Sequence, residues 1–260
     1  MGTFGESPEL STDMCRAYCD GFQTSTGDRI VDGHWGYDSV NAMVKHWPSG
    51  GSGEGGRDAH YNYGKYAVYP GNRLFPNMKP FLEGAFKLND GTGKAAAVMP
   101  YYTISSGADT VGNGYSNYLI NELLRGKYGY DGVVCTDWGV TRDEGPKVSG
   151  FFGKCWGVEL KTVAERHYIA LMAGCDQYGG NNDMKPVLEA YEMGVKEHGE
   201  EFMRKRFETS ARRLLLNFFR CGLFENPYLD IAETEKIVAN DEFMKVGFEA
   251  QCKSVVMVKN

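Results

Sequence analysis

Four times along this chain a short apolar run closes on a polar or aromatic side chain and gives way to an amphipathic stretch. The runs lie at 40–47, ending in Lys45-His46-Trp47-Pro48; at 95–99, finishing at Pro100-Tyr101-Tyr102; at 133–135, ending on Asp137; and at 174–177, ending on Asp176. Between and after them, apolar residues recur at helical spacing: Phe81, Leu82, Ala85 and Phe86 within 76–88; Leu119, Ile120, Leu123 and Leu124 within 115–125; Leu160, Ala164, Tyr168 and Leu171 within 160–173; and a further helix over 184–193 opened by Pro186. Alternation of strand and helix predicts an α/β fold with a parallel sheet and right-handed crossovers, either doubly wound or a barrel. A complete eight-stranded barrel takes about 250 residues. Four units make half of one.

The run Val133-Val134-Cys135 is too short for a helix and apolar at consecutive positions, as a strand buried on both faces requires. Asp137 follows at once, with Trp138 beside it. Two readings stand for this carboxylate. It could cap the next helix, since Asp is a favoured cap, or it could be a reacting group, because α/β barrels keep their chemistry at the carboxyl ends of the strands.

The flanks complete the organisation. Ser7 as cap and Pro8 at the first helical position open a helix over 8–22, with Leu10, Met14, Ala17 and Tyr18 on one face. A long helix over 201–220 sets Met203, Phe207, Leu214 and Phe218 against Arg204, Lys205, Arg206, Arg212 and Arg213, and such a basic stripe reads as a solvated face. Gly222 and Pro227 mark a helix stop, 241–251 another helix, and Ser254-Val255-Val256-Met257-Val258 a new strand. The expected organisation is a half-barrel over 1–222, a linker region over 223–253 and, at 254–260, the first strand of a second, truncated α/β domain.

Composition narrows the function. A net charge of -6 argues against nucleic-acid binding, which needs clustered Lys and Arg. No apolar run approaches the roughly 18 residues of a membrane span. The seven cysteines are too scattered for a zinc site, and Cys15 and Cys19 are spaced as helix neighbours. The glycine-rich loop over 49–64 is long enough to be functional, but it lacks the Gly-Lys-Ser/Thr ending of a phosphate loop. His46, Glu54, Asp58 and His60 are metal-binding residue types without metal-binding spacing. Neither a cofactor nor a metal is expected. His167 reads as a structural histidine beside its helix face. The 34 glycines and 16 tyrosines suit shaped loops and aromatic surfaces for sugars or other small molecules.

Several segments together carry a resemblance. Phe4-Gly5-Glu6 before a helix, Lys45-His46 with Pro48, the loop from Glu54 to Asp58, Val98-Met99 with Tyr102, the stretch from Gly129 to Trp138, and the closing Ser254 to Asn260 resemble glycoside hydrolase family 3, the β-glucosidase group. The resemblance runs the length of the chain in order. It implies a partial (β/α)8 TIM-type barrel and a retaining exo-acting hydrolase that removes terminal β-D-glucosyl residues through a covalent intermediate. Asp137 would then be the nucleophile; Lys45 and His46 would bind sugar hydroxyls, Met99 and Tyr102 would line the same subsite, and Trp138 would stack on the sugar beyond. It also implies a periplasmic or secreted setting. Ser7 stands where the family places Asp, an exchange of one cap for another.

The resemblance further implies that the first barrel strands lie before residue 1 and the acid/base glutamate of the two-domain enzymes beyond Asn260, so that this segment alone would be incompetent. Asp58-Ala59-His60 is similar to the acid/base dyad of the N-acetylglucosaminidase branch and is the one substitute within the chain. The alternative is a non-catalytic sugar-binding or assembly segment, whose open strands pair with another chain carrying the missing barrel strands and second domain.

Overall fold

The computed structural model describes residues 4–144 and 153–259. The chain divides into two units, Met1–Gly222 and Leu223–Asn260. In the first, α1 (Pro8–Gln23) precedes a small antiparallel hairpin of β1 (Ile30–Asp32) and β2 (Trp35–Gly36), which the sequence periodicity did not announce. Then come β3 (Met43–Trp47), β4 (Tyr66–Ala67), α2 (Leu74–Lys79), β5 (Ala97–Pro100), β6 (Ile104–Ser105), a π-helix over Tyr118–Lys127, β7 (Val133–Val134), α3 (Val163–Ala173), α4 (Lys185–His198) and α5 (Glu200–Arg220). α2 runs directly into a π-turn over Pro80–Ala85, where Pro80 supplies no N–H to a regular ladder.

The central sheet is parallel, in the order β3-β5-β7. A parallel bridge from Cys135 to Gln177 continues it by one more position. Val44, Val98 and Val134 stand in register across it and enter the same core as Trp47, Leu119, Leu124 and Tyr130. Trp47 is fully buried and satisfies its indole N–H on the Leu119 carbonyl at 3.0 Å, while the Tyr130 hydroxyl donates to the Ala95 carbonyl. This is α/β architecture with four strand positions, a partial barrel. β3 carries no strand partner on its outer side among the described residues, and a cavity of about 730 Å³ runs beside it, lined by Cys15 and Cys19 of α1 and by Met43, Lys45 and His46.

α1 starts where expected, with the Ser7 hydroxyl accepting from Leu10 N–H, but it does not bury its apolar stripe. Leu10, Met14 and Tyr18 are exposed. Cys19 enters the core with Cys15 packed against it, and polar side chains dock the helix beside them: Gln23 Oε1 accepts from the N–H groups of Ala42 and Ala96, its Nε2 donates to the Lys94 carbonyl, and the Asp20 carboxylate accepts from the N–H groups of Asn89 and Asp90. The bond to Ala96 satisfies a backbone N–H that burial would otherwise strand.

The basic stripe of α5 is likewise not all solvated. The Asp176 carboxylate, wholly inaccessible, receives Arg125 at 2.6 Å, Arg213 at 2.9 Å, the Ser210 hydroxyl at 2.7 Å and Val134 N–H at 3.0 Å. Arg206 lies 3.6 Å away and donates to the carbonyls of Leu171 and Cys175. One carboxylate thus ties β7, the π-helix and α5 together. His167 is buried and structural, its Nδ1 bonded to the Val163 carbonyl and its Nε2 accepting from Asn181.

In the second unit, α6 (Ile231–Ile237) and α7 (Asp241–Ser254) are each opened by a side-chain cap, Asp230 and Asn240. Of the strand expected at 254–260, none forms over the described residues: α7 extends to Ser254, and 255–259 carries no regular structure. β-branched residues favour a strand only where a neighbouring strand receives their N–H and C=O groups, and among the described residues none is paired to them.

Asp176 supplies the first test. Asp176→Ala leaves clustered guanidinium groups without their shared anion, and urea unfolding should show a loss of about 3–5 kcal/mol, the usual cost of breaking a buried ion pair from one side.

Candidate active site at the carboxyl ends of the strands

The register Lys45↔Met99 and Val98↔Val134 brings the ends of β3, β5 and β7 to one rim. His46, Tyr101, Tyr102 and Asp137 meet there. Asp137 and His46 are both almost fully buried, with Asp137 Oδ2 3.4 Å from His46 Nε2. Neither of these two atoms makes a hydrogen bond to a described residue, although the other carboxylate oxygen, Oδ1, accepts from the Trp138 N–H at 2.6 Å. Two orphaned buried polar atoms facing each other are the mark of a site built for a polar ligand.

The contact is not an ion pair at neutral pH. Burial, with the like charge of Lys45 nearby, pushes the His46 imidazole down to about 3, so it stays neutral and stacks on Tyr101 with ring centroids 4.2 Å apart. Burial also raises the Asp137 carboxyl above the ordinary aspartate range, against the Trp138 N–H, Tyr102, His60 and Lys45, which all pull it down. Lys45, whose ammonium pulls Asp137 down, is therefore outweighed by desolvation. Its side chain is exposed at the rim and borders the cavity beside β3.

Tyr102 is buried, and its hydroxyl donates to the Trp138 carbonyl at 2.7 Å, while burial and the charge of Asp137 hold the phenol protonated. Trp138 is thus gripped at both backbone groups by the side chains beside it, leaving its indole 58% exposed as a platform at the rim. Under the indole runs Gly179, where a Cβ would lie 2.2 Å from the ring. Only glycine lets that backbone pass, and the Thr136 hydroxyl fixes it by accepting the Gly179 N–H. Met99 is buried at the end of β5 beside Lys45 in the register.

Asp58 and His60 stand at the same mouth. His60 Nδ1 is 2.7 Å from Asp58 Oδ1, which also accepts the His60 N–H. Burial would raise the Asp58 carboxyl, but these two bonds outweigh it and hold it below its ordinary value. Ala59 between them is fully buried and pins the loop, and the His60 ring lies 5.5 Å from Tyr102 and 6.4 Å from His46. Among the described residues no group of three or more His, Cys, Asp and Glu side chains is placed to hold a metal ion. Asp176, the fourth strand end, faces the arginines of the fold and takes no part in the rim.

Two members of the site escaped the sequence reading. Tyr101 lies next to Tyr102 yet carries the His46 ring, a pairing that alternation along one strand does not reveal. Lys154 is 99% buried with its ammonium 5.5 Å from the centre of the Tyr102 ring. Nothing periodic surrounds it in the sequence, so only the folded chain places it here.

Comparison with known proteins follows the same outline. The profile described as the glycosyl hydrolase family 3 N terminal domain matches residues 1–216. The chain is similar to a probable beta-glucosidase C of Aspergillus oryzae, 36% identical over 99% of this chain and 38% of that protein. It is similar also to a periplasmic beta-glucosidase/beta-xylosidase of Dickeya chrysanthemi, 35% identical over all of this chain and 39% of that protein. The chain therefore spans about two fifths of the length of these relatives. Among solved structures, a beta-glucosidase from Listeria innocua superposes with a TM-score of 0.67 at 22% identity, covering 92% of this chain and 29% of that one, a likeness of fold.

The raised Asp137 carboxyl has a measurable sign. A carboxylate whose folded pKa lies above its unfolded one destabilises the fold progressively as pH rises through that interval. Asp137→Asn should therefore be more stable than the parent chain at pH 7, and the gap should close below the ordinary aspartate pKa of about 4, as read from urea midpoints at the two pH values.

Proposed function

We propose that this chain, which belongs to glycoside hydrolase family 3, supplies the nucleophile and the sugar-binding side chains of a retaining exo-acting β-glucosidase. The observation that carries the reading is the pair of buried atoms, Asp137 Oδ2 and His46 Nε2, facing each other without a hydrogen-bond partner among the described residues, with the exposed Trp138 next in the chain. A sugar ring suits that arrangement: its hydroxyls bond to the imidazole and to Lys45, and its apolar face lies on an indole. Tyr102 and Met99 close the subsite.

In the first step Asp137 Oδ2 attacks the anomeric carbon as the bond to the leaving oxygen breaks and that oxygen takes a proton from a general acid. In the second step water attacks the same carbon, gives its proton to the conjugate base of that acid, and frees Asp137. The geometry requires an acid about 5 Å from the nucleophile. Two sources are compatible with the rim. One is a carboxylic acid from a further domain, in which case this chain acts only with its completing partner, the remaining barrel strands pairing along the outer side of β3. The other is His60, oriented by Asp58, and its closeness to Tyr102 and His46 favours it as the second reading, an N-acetylglucosaminidase-like hydrolase. A periplasmic or secreted setting is the compartment we favour, in line with the name of the periplasmic Dickeya relative. No helix among the described residues is long and apolar enough to cross a membrane.

A 2-deoxy-2-fluoro glucoside with an activated leaving group tests the nucleophile directly. Mass spectrometry should find the sugar esterified to Asp137 and to no residue of Asp137→Ala; labelling elsewhere, or equal labelling of the variant, overturns the assignment. Asp137→Ala in a protein with the barrel completed should lower aryl β-glucoside hydrolysis at least 1,000-fold, on the order of what loss of a covalent nucleophile costs. His60→Ala separates the two acid readings: glucoside hydrolysis stays within about threefold if the acid comes from elsewhere, and falls by about 100-fold or more if His60 is the acid.

A further inference from the structure

We propose that Lys154 is a positioning residue of this site, its buried ammonium over the Tyr102 ring supplying the positive charge that steadies the carboxylate of Asp137. The inference rests on the reading of Asp137 as the reacting group. Three observations support it. Lys154 is among the largest fully buried side chains of the protein, and lysines are almost never buried without an electrostatic reason. Its ammonium lies 5.5 Å from the centroid of Tyr102, within reach of the ring's negative face. The hydroxyl of that same ring donates to the carbonyl of Trp138, whose N–H donates to Asp137, so the cation is packed on the side chain that holds the residue bonded to the nucleophile's carboxylate.

The charges around Lys154 have a consistent sense. Burial pulls its ammonium below the ordinary lysine value, while Asp137 first, then Glu144 and Cys155, pull it back up. Around Asp137 the groups of opposite or donating character are the Trp138 N–H, Tyr102, His60 and Lys45, with His46 neutral. Lys45 and His60 are solvent-accessible at the rim, where water weakens their field. Lys154, which Asp137 raises before any other group, lies out of water, where an opposite charge acts most strongly. As the carboxylate loses its charge to the sugar in the glycosyl-enzyme ester and regains it on hydrolysis, a fixed cation beneath Tyr102 would favour the ionised state at both ends of the cycle.

The test needs no substrate, so it fails or succeeds separately from the glycosidase reading. In the whole chain the carbon-13 resonance of the Asp137 carboxyl, assigned by its disappearance in Asp137→Asn, is followed against pH. Lys154→Met should move its midpoint up by about one pH unit or more, the usual effect of removing a nearby opposite charge, and Lys154→Arg should leave it near that of the parent. A midpoint unmoved in folded Lys154→Met, or moved equally by Lys154→Arg, overturns the proposal. The reciprocal measurement does not depend on whether Lys154→Met folds: coupling between two sites acts equally in both directions, so the midpoint of the Lys154 side-chain resonance should fall in Asp137→Asn. An unchanged Lys154 midpoint there also overturns it.

Discussion

Parallel pairing of β3, β5 and β7 is the constraint on which the rest of this structure depends. In a parallel ladder all strands run the same way, so their carboxyl ends share one rim and whatever follows each strand is delivered to that rim. The register sets Lys45 opposite Met99 and Val98 opposite Val134, which brings His46, Tyr102 and Asp137 together from positions far apart in the chain. Asp176 locks the same sheet from behind, accepting the Val134 N–H and the guanidinium groups of Arg125 and Arg213 at once. The carboxylate at one strand end is thus neutralised for stability, and the one at its neighbour is left partly unbonded.

That contrast is what makes Asp137 chemically distinct. Desolvation raises its proton affinity and lowers that of His46, so the closest pair at the rim carries at most one charge, on the carboxylate. A neutral imidazole neither forms an ion pair with the carboxylate nor repels a neutral sugar, and it can serve as hydrogen-bond donor or acceptor according to its tautomer. The surrounding partners, Tyr102 and the Trp138 backbone, hold geometry more than they supply charge.

Much of this was legible from residue order. Val133-Val134-Cys135 reads as a buried strand because consecutive apolar β-branched residues fit no surface, and Asp137 is conspicuous as the first charge after it. Gly174 ends α3 in the left-handed conformation, φ 114°, as a helix stop requires. Other elements were not legible, for physical reasons. The hairpin of β1 and β2 involves five residues and is largely exposed along β1, too little burial to impose a period. The apolar stripe of α1 suggested packing that Gln23 and Asp20 provide instead through hydrogen bonds, which carry no periodic signature. Arg206 and Arg213 look solvated in a helical projection and turn inward because a buried anion waits at the end of a different strand.

The sequence by itself determined the alternation of strand and helix, the cap at Ser7, the family resemblance, and the identity of the residues at each strand end, because all of these are written in local order and spacing. Only the tertiary structure decided which strand-end carboxylate is clamped and which is open, that His46 is neutral, that Gly179 passes under Trp138, and that Lys154 is buried against Tyr102. Those outcomes turn on burial and on distances between segments far apart in the chain, and desolvation is a property of the surroundings that no single segment encodes.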